Sequence, residues 1–125
     1  MLIVCDKEYK VSGKLKIREE QAPYPNDEEV LIRVKSFGIN RPDLLQKKGL
    51  YSPPASASKI LGLECSGFVE KTGKKVKGIK EGDKVCALTA GGAYAEKVSV
   101  HQWHCFNIPK NLDFSEAAVL PEVFM

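Results

Sequence analysis

The sequence lacks a long apolar run, a strong excess of one charge and a dense set of aromatic residues. No apolar stretch approaches the roughly 20 residues that cross a bilayer as a helix, so no membrane partner is predicted. The formal net charge is +3, and aromatic residues make up 8% of the chain. The densest group of lysines, in residues 71–80, has no aromatic residue among its members. These lysines are therefore interpreted as a solvated surface and not as a nucleic-acid site, because bases would have nothing to stack on.

The sequence also lacks any Cys-x-x-Cys pair. Its four cysteines are far apart, and each lies in an apolar, strand-like context. This pattern predicts buried free thiols in a reducing compartment rather than a disulfide framework. The amino-terminal residues show no basic segment followed by an apolar one, so no signal peptide is predicted and a cytoplasmic location is expected. The four cysteines are Cys5, Cys65, Cys86 and Cys105.

What is present is a series of short strand patterns separated by glycine-rich turns. Residues 14–20 alternate charged and apolar side chains, with Leu15 and Ile17 on one face, which predicts a half-buried strand. At 43% hydrophobic and 28% charged residues, the chain is long enough for one globular domain. Many short strands with glycine turns favour a β-barrel or a sandwich. Strands are predicted at 1–5, 14–20, 30–37, 64–70, 83–89, 93–100 and 105–109.

Two segments are predicted to be helical. Asn40 is a suitable N-cap, Pro42 falls in the first turn, Asp43 adds negative charge there and Gly49 is a natural stop, which predicts a helix at about 41–48. A second helix is expected to start at about residue 113, with Ser115 as the candidate cap, and to be interrupted by Pro121.

Several separated motifs together resemble one known family. They are E-V-L-I-R-V at 29–34, G-I-N-R-P-D-L-L-Q-K-K-G-L-Y at 38–51, P-P-A-S-A-S-K-I-L-G-L-E at 53–64, G-D-K-V at 82–85, G-G-A-Y-A-E-K-V-S-V at 91–100, I-P at 108–109 and A-A-V-L-P-E at 117–122. The chain resembles the N-terminal, GroES-like catalytic domain of a zinc-free quinone oxidoreductase of the medium-chain dehydrogenase/reductase superfamily. The p53-inducible type is the most similar.

The resemblance implies a mainly β fold, a GroES-like partly open β-barrel with one or two short helices. Residues 1–114 would form the catalytic domain, and residues 115–125 would begin the helical connection to a nucleotide-binding domain. No G-x-G-x-x-G-like turn stands between a strand and a helix, so the Rossmann domain of the family is expected to be absent from this chain. The isolated chain is therefore expected to bind NADPH very weakly and to lack turnover.

The resemblance also implies that no zinc is bound. Zinc-dependent relatives have a cysteine at the position of Asn40 and a histidine at that of Leu63, and neither Asn nor Leu supplies those ligands. The cysteine-rich lobe that holds their structural zinc has no counterpart, because residues 89–94 are too few to form it.

The implied reaction is hydride transfer from NADPH to a quinone. Asn40 and Tyr51 are the predicted catalytic residues, and Asn40, Arg41, Asp43 and Tyr51 are the predicted cofactor-binding residues. Alternatives remain open. Asn40 can act as a helix cap without binding the cofactor, and Tyr51 can close the barrel without contacting a ligand. Glu64 is more consistent with a structural hydrogen-bonding role than with a general acid.

The segment H-Q-W-H-C at residues 101–105 allows a metal site, but the pattern favours none. On a strand, His104 and Cys105 would point to opposite faces, and no further pair of ligands has suitable spacing. Trp103 is interpreted as a packing residue.

Two functional classes follow from the sequence. One is the oxidoreductase domain, and the other is a non-enzymatic GroES-like binding module that acts through a partner chain. An exposed, partly apolar face is expected where the family's second domain would pack, and it predicts self-association.

Overall fold

The computed structural model describes residues 1–5 and 14–124 of the chain. All strand pairings in this part are antiparallel, in a two-stranded sheet of order β1-β2 and a five-stranded sheet of order β6-β3-β4-β5-β7. The strands are β1 (Leu2–Cys5), β2 (Lys16–Glu19), β3 (Glu29–Phe37), β4 (Glu64–Thr72), β5 (Lys84–Leu88), β6 (Lys97–His101) and β7 (Cys105–Asn107). The α-helices are α1 (Arg41–Lys47), α2 (Phe114–Ala118) and α3 (Pro121–Phe124), and a 3₁₀ turn spans Gln102–His104.

The main core lies on one face of the five-stranded sheet. Val30 and Ile32 lie on the same face of β3, and both are fully buried. Their partners across the strand pair, Val100 and Val98 on β6, face the same way. This confirms the strand predicted at residues 30–37. The other buried members of the core are Cys65, Val69, Val85, Ala87, Ala93 and Cys105.

The small sheet packs its first strand inward and exposes its second. Ile3 and Cys5 are buried in a cluster with Ala95, and the Val4 amide donates to the Tyr94 carbonyl at 2.8 Å. Strand β2 is exposed along its whole length, and Ile17 is 71% exposed. The prediction of a half-buried strand there was wrong, because in residues 1–5 and 14–124 no second layer covers β2.

Residues 93–96 do not belong to the strand that was predicted at 93–100. Strand β6 begins at Lys97, and the segment before it makes single hydrogen bonds with other elements. The Tyr94 amide donates to the Leu61 carbonyl at 2.9 Å, and the Glu96 amide donates to the Leu2 carbonyl at 3.0 Å. These bonds hold the segment between the two sheets instead of in one of them.

Helix α2 begins one residue after Asp113, which is its N-cap. The Asp113 carboxylate accepts from the Glu116 amide at 2.8 Å, and the Glu116 carboxylate accepts from the Asp113 amide at 3.2 Å. The prediction of Ser115 as the cap was wrong, because this reciprocal pair satisfies the first free amides of the helix. The hydroxyl of Ser66 donates to the Phe114 carbonyl at 2.5 Å and ties α2 to β4. A new helix starts at Pro121, as the predicted interruption requires.

All four cysteines are free and buried, which confirms the prediction. Burial is the largest cause of the raised thiol pKa values of Cys65 and Cys105, and the pKa of Cys105 reaches about 12.

Across the ranges 1–5 and 14–124, no helix is long and apolar enough to span a bilayer.

Candidate functional site

The first turn of α1 is built by its own sequence. Asn40 is extended and occupies the N-cap position, and Pro42 lies in the first turn. The carboxylate of Asp43 accepts from the Asn40 backbone amide at 2.9 Å. Gly49, with a φ of 73°, follows the last turn in the left-handed conformation that a stop requires. The predicted helix is confirmed to within one residue.

Glu64 joins this helix to the start of α3. Its Oε1 accepts from the side-chain amide of Asn40 at 2.8 Å, and its Oε2 accepts from the Glu122 backbone amide at 2.9 Å. The residue is 1% exposed. With both carboxylate oxygens engaged, Glu64 has the structural hydrogen-bonding role that its sequence context favours.

Position 38 needs a glycine because the Glu64 side chain packs directly against the backbone there. A Cβ atom on Gly38 would overlap the Glu64 carboxylate, including Oε1. Any larger residue at position 38 would therefore displace Glu64 from Asn40. The glycine that precedes the helix thus contributes to the site by its small size.

Asp43 is the second buried carboxylate of this region. It is 2% exposed, and its Oδ2 also accepts from the Tyr94 hydroxyl at 2.8 Å. Among the described residues, its other oxygen, Oδ1, is buried without a hydrogen-bond partner. Tyr94 stacks on Phe37 with ring centroids 4.5 Å apart. Burial, and then the hydrogen bond to Asp43, raises the pKa of the Tyr94 phenol well above its ordinary value.

Leu63 lies buried directly before Glu64. Over residues 1–5 and 14–124, the structure has no group of three or more His, Cys, Asp or Glu side chains arranged to hold a metal ion. The side chains near the first turn of α1 that could ligate a metal are the carboxylates of Asp43 and Glu64. Both already accept hydrogen bonds from neighbouring residues. The residues present therefore do not fit the zinc site of the zinc-dependent relatives.

Tyr51 follows α1 in an irregular segment and lines a surface groove. The groove has a volume of about 960 Å³, and Leu63, Leu88 and Thr89 are among its other lining residues. Tyr51 is partly buried, and its hydroxyl makes no hydrogen bond within the described part of the chain. It can therefore bond a ligand in the groove.

The structure brings three of the predicted site residues together and separates the fourth from them. Asn40, Arg41 and Asp43 share the first turn of α1, while Tyr51 lies beyond the end of the helix. Only Tyr51 of these four lines the groove. Arg41 is exposed, and Asn40 is partly buried.

Sequence reasoning missed Tyr94. The residue lies within the motif G-G-A-Y-A-E-K-V-S-V, which signalled the resemblance but gave no indication of a contact 51 positions away. The buried tyrosine lies below α1, not in the groove, and fixes the helix through Asp43. No periodic pattern predicts such a contact.

The H-Q-W-H-C segment lies apart from α1 and is largely exposed. His101 contacts Glu28 at 3.2 Å, its ring lies 5.9 Å from that of His104, and Cys105 is buried in the core. Trp103 is 76% exposed. Its interpretation as a packing residue was wrong, because the 3₁₀ turn directs the indole away from the sheet that buries its neighbours.

Comparison with known proteins identifies the family. The chain matches the alcohol dehydrogenase GroES-like domain family over residues 26–110. It is 39% identical over 113 residues to the synaptic vesicle membrane protein VAT-1 homolog-like of Mus musculus, covering 90% of this chain and 27% of that protein. It is 32% identical over 108 residues to the quinone oxidoreductase of Lama guanicoe, covering 85% of this chain and 33% of that protein.

A solved structure gives the same result. The Escherichia coli quinone oxidoreductase complexed with NADPH is 32% identical, with a TM-score of 0.78, and the match covers 94% of this chain and 36% of that one. The chain thus spans roughly a third of the length of these proteins. The mainly β barrel-like sheet, the glycine-containing motifs and the sequence match agree: this chain belongs to the alcohol dehydrogenase GroES-like domain family, with quinone oxidoreductases of the medium-chain dehydrogenase/reductase superfamily among its relatives.

Proposed function

We propose that this chain is the N-terminal catalytic portion of an NADPH-dependent quinone oxidoreductase that transfers hydride without zinc. The observation that carries the proposal is the hydrogen bond between Asn40, the N-cap of α1, and the buried Glu64, with the buried Leu63 directly before Glu64. By the resemblance, Asn40 and Leu63 occupy the positions of two zinc ligands. The similarity to quinone oxidoreductases, one of them solved with NADPH, supports the reaction class.

NADPH, when bound, supplies the hydride, and the protein orients the donor and the acceptor. Asn40 and Arg41 would hold the cofactor from the first turn of α1, and Tyr51 would meet the nicotinamide end or the quinone with its free hydroxyl. Asp43 has a positioning role, because its carboxylate accepts hydrogen bonds from both the Asn40 backbone amide and the Tyr94 hydroxyl. Glu64 sets the Asn40 side chain.

The groove supports a neutral, flat acceptor. Its lining includes the apolar side chains of Ile60, Leu63 and Leu88 as well as Tyr51. A quinone accepts hydride readily because the charge spreads over its ring, so orientation and the exclusion of water are the main demands on the site. Leu63 helps to exclude water from the site, because its side chain is apolar and buried.

The test is a chimaera in which residues 1–124 replace the equivalent part of the Escherichia coli quinone oxidoreductase. The chimaera should oxidise NADPH when an aromatic ortho-quinone is added, and a metal chelator should leave the rate unchanged. The 125-residue chain alone should show no oxidation, since its described part has no βαβ unit to bind the phosphates. Tyr51→Phe in the chimaera should lower kcat/KM about tenfold, because one hydrogen bond in the transition state is lost.

Trp103→Phe is the control, since Trp103 is 76% exposed and does not line the groove. Its kcat/KM should equal that of the parent chimaera. A folded chimaera that binds NADPH, as seen in cofactor fluorescence, but reduces no quinone would overturn the proposal. So would micromolar NADPH binding by the 125-residue chain alone.

A non-enzymatic binding module is the second candidate. The observation that favours it is a set of exposed apolar side chains beside Glu64, which includes Ile39, Val123 and Phe124. In this case the chimaera would fold and bind NADPH without turnover. For either candidate we propose a cytoplasmic location, because four buried free thiols suit a reducing compartment.

A further inference from the structure

The Glu64 carboxylate bonds two elements that are far apart in the sequence. Its Oε1 accepts from the Asn40 side-chain amide, 24 positions away, and its Oε2 accepts from the Glu122 backbone amide, 58 positions away. Asn40 is the N-cap of α1, and Glu122 lies in the first turn of α3. One buried side chain therefore connects the start of α1 to the start of α3.

The first turn of α3 explains why Glu122 is available as a donor. Amides in the first turn of a helix have no acceptor within the helix, and Pro121, which opens α3, has no amide proton. Glu64 supplies the missing acceptor at 2.9 Å. Loss of this contact would leave an oxygen of a side chain that is 1% exposed without a partner, which is costly in a buried region.

The same carboxylate fixes the direction in which the Asn40 side chain faces. Because Glu64 Oε1 accepts, the amide nitrogen of Asn40 and not its oxygen must face it. The Asn40 backbone is held separately, since its amide donates to the Asp43 carboxylate at 2.9 Å. The contact with Glu64 therefore controls the orientation of the side chain, while Asp43 holds the backbone.

The Glu64 carboxylate has little room to move by itself. A Cβ atom at Gly38 would overlap it, so the backbone at residue 38 lies directly against it. The Glu64 backbone is fixed in β4, where it pairs with Leu88 of β5. The carboxylate can therefore respond to the loss of one partner only by rotating about its side-chain bonds, and such a rotation changes its contact with the other partner.

We propose that Glu64 is a positioning residue that couples the orientation of the Asn40 side chain to the position of α3. With α3 in place, the Glu122 amide holds Oε2 and Oε1 faces Asn40. When α3 moves away, the carboxylate rotates to satisfy the released oxygen, and the Asn40 side chain loses its fixed orientation. The coupling is reciprocal, so loss of the Asn40 contact also loosens α3.

This coupling does not depend on the proposed reaction, because its contacts all lie within the described part of the chain. If the proposed reaction holds, a change in the position of α3 reaches the cofactor through Glu64 and Asn40. The test can therefore be made on the 125-residue chain without cofactor or quinone, and its result is separate from that of the chimaera.

The test loosens α3 and observes Asn40. Glu122→Gly keeps the backbone amide that donates to Glu64 but disfavours the helix at this position. In NMR solvent-exchange measurements, the Asn40 side-chain amide should then exchange about tenfold faster than in the wild type. The control is Ser115→Gly, which places glycine at an exposed position of α2, and it should leave the Asn40 exchange rate unchanged. Backbone amides of the β3–β6 pair report global opening and should not change in either variant.

The reverse experiment removes the Asn40 side chain. Asn40→Ala should accelerate exchange of the Glu122 backbone amide by about the same factor, because coupling acts equally in both directions. Glu64→Gln keeps the size of the side chain but leaves one oxygen acceptor for two donors. In the E64Q background, Glu122→Gly should have no further effect on Asn40, as expected when the coupling passes through the carboxylate.

Three results would overturn the proposal. One is an unchanged Asn40 exchange rate in a Glu122→Gly variant whose own α3 amides exchange faster, since α3 would then move without affecting the site. Another is an equal effect of Glu122→Gly and Ser115→Gly, which would indicate general loosening of the fold. The third is a full effect of Glu122→Gly in the E64Q background, which would assign the coupling to another path. The first two comparisons use only α2 and α3 variants, so they apply even when Glu64→Gln does not fold.

Discussion

Two clusters of polar side chains in this chain have opposite surroundings. Around α1, Asp43 and Glu64 are 2% and 1% exposed, and each accepts hydrogen bonds from other elements. At the end of β6, His101 and Glu28 make a similar contact, but the side chain of Glu28 is 50% exposed. The difference shows that the residue types do not decide whether a polar cluster is structural. What matters is whether neighbouring elements exclude water, because an unpaired polar group is costly only when it is buried.

The largest expected effect is that of Glu64→Ala. The change leaves the Asn40 side-chain amide and the Glu122 backbone amide without an acceptor in a buried region. We expect the free energy of unfolding to fall by about 3 kcal/mol, measured by urea denaturation with circular dichroism. In the exposed cluster, Glu28→Ala should cost less than about 0.5 kcal/mol. Equal losses for the two variants would remove the distinction between the clusters.

Tyr94→Phe should have the next largest effect. It keeps the stack on Phe37 but removes the hydroxyl that Asp43 accepts. A loss of about 1–2 kcal/mol in the free energy of unfolding is expected, since a buried carboxylate loses a donor. Tyr24→Phe, at an 83% exposed position, should have no measurable effect. No loss for Tyr94→Phe would mean that water replaces the hydroxyl and that this side of α1 is open to solvent.

The same tyrosine makes stability depend on pH in the alkaline range. Burial, and then the hydrogen bond to the Asp43 carboxylate, raises the Tyr94 pKa above that of an exposed tyrosine, so the folded protein keeps a proton that the unfolded chain releases. Its contribution is fully present below about pH 10 and decreases as the pH rises further. Thermal unfolding at several pH values should show this fall in the wild type, and Tyr94→Phe should reduce it. An identical pH profile for the two proteins would contradict this account.

A smaller effect is expected for Gln102→Ala in the exposed cluster. The Gln102 side chain accepts from the Lys77 amide at 3.0 Å and donates to the Lys75 carbonyl at 3.3 Å. Its removal should lower the free energy of unfolding by about 0.5–1 kcal/mol and speed hydrogen exchange at the Lys77 amide. Unchanged exchange at that amide would mean that the loop does not depend on the contact.

The smallest effect is expected for Trp103→Ser. The indole is 76% exposed, so the free energy of unfolding should change by less than about 0.5 kcal/mol. Trp103 is the single tryptophan of the chain, and iodide should therefore quench the fluorescence of the folded protein strongly. Weak quenching would indicate that another surface covers Trp103.

The sequence by itself determined the local structure of this protein. The strand at residues 30–37, the helix that starts after Asn40 and the interruption at Pro121 follow from side-chain periodicity and from residues that act on their own backbone. The motifs were also sufficient to recognise the family, because their residues and spacing are read directly from the chain.

Only the tertiary structure decided which of these residues meet. The contact of Tyr94 with Asp43 spans 51 positions, and that of Glu64 with the Glu122 amide spans 58. The exposure of β2 and of Trp103 was equally inaccessible, since a strand or turn pattern does not reveal whether another layer covers it. Burial and long-range hydrogen bonds depend on how elements pack, and a local pattern carries no information on the partner that an element will meet.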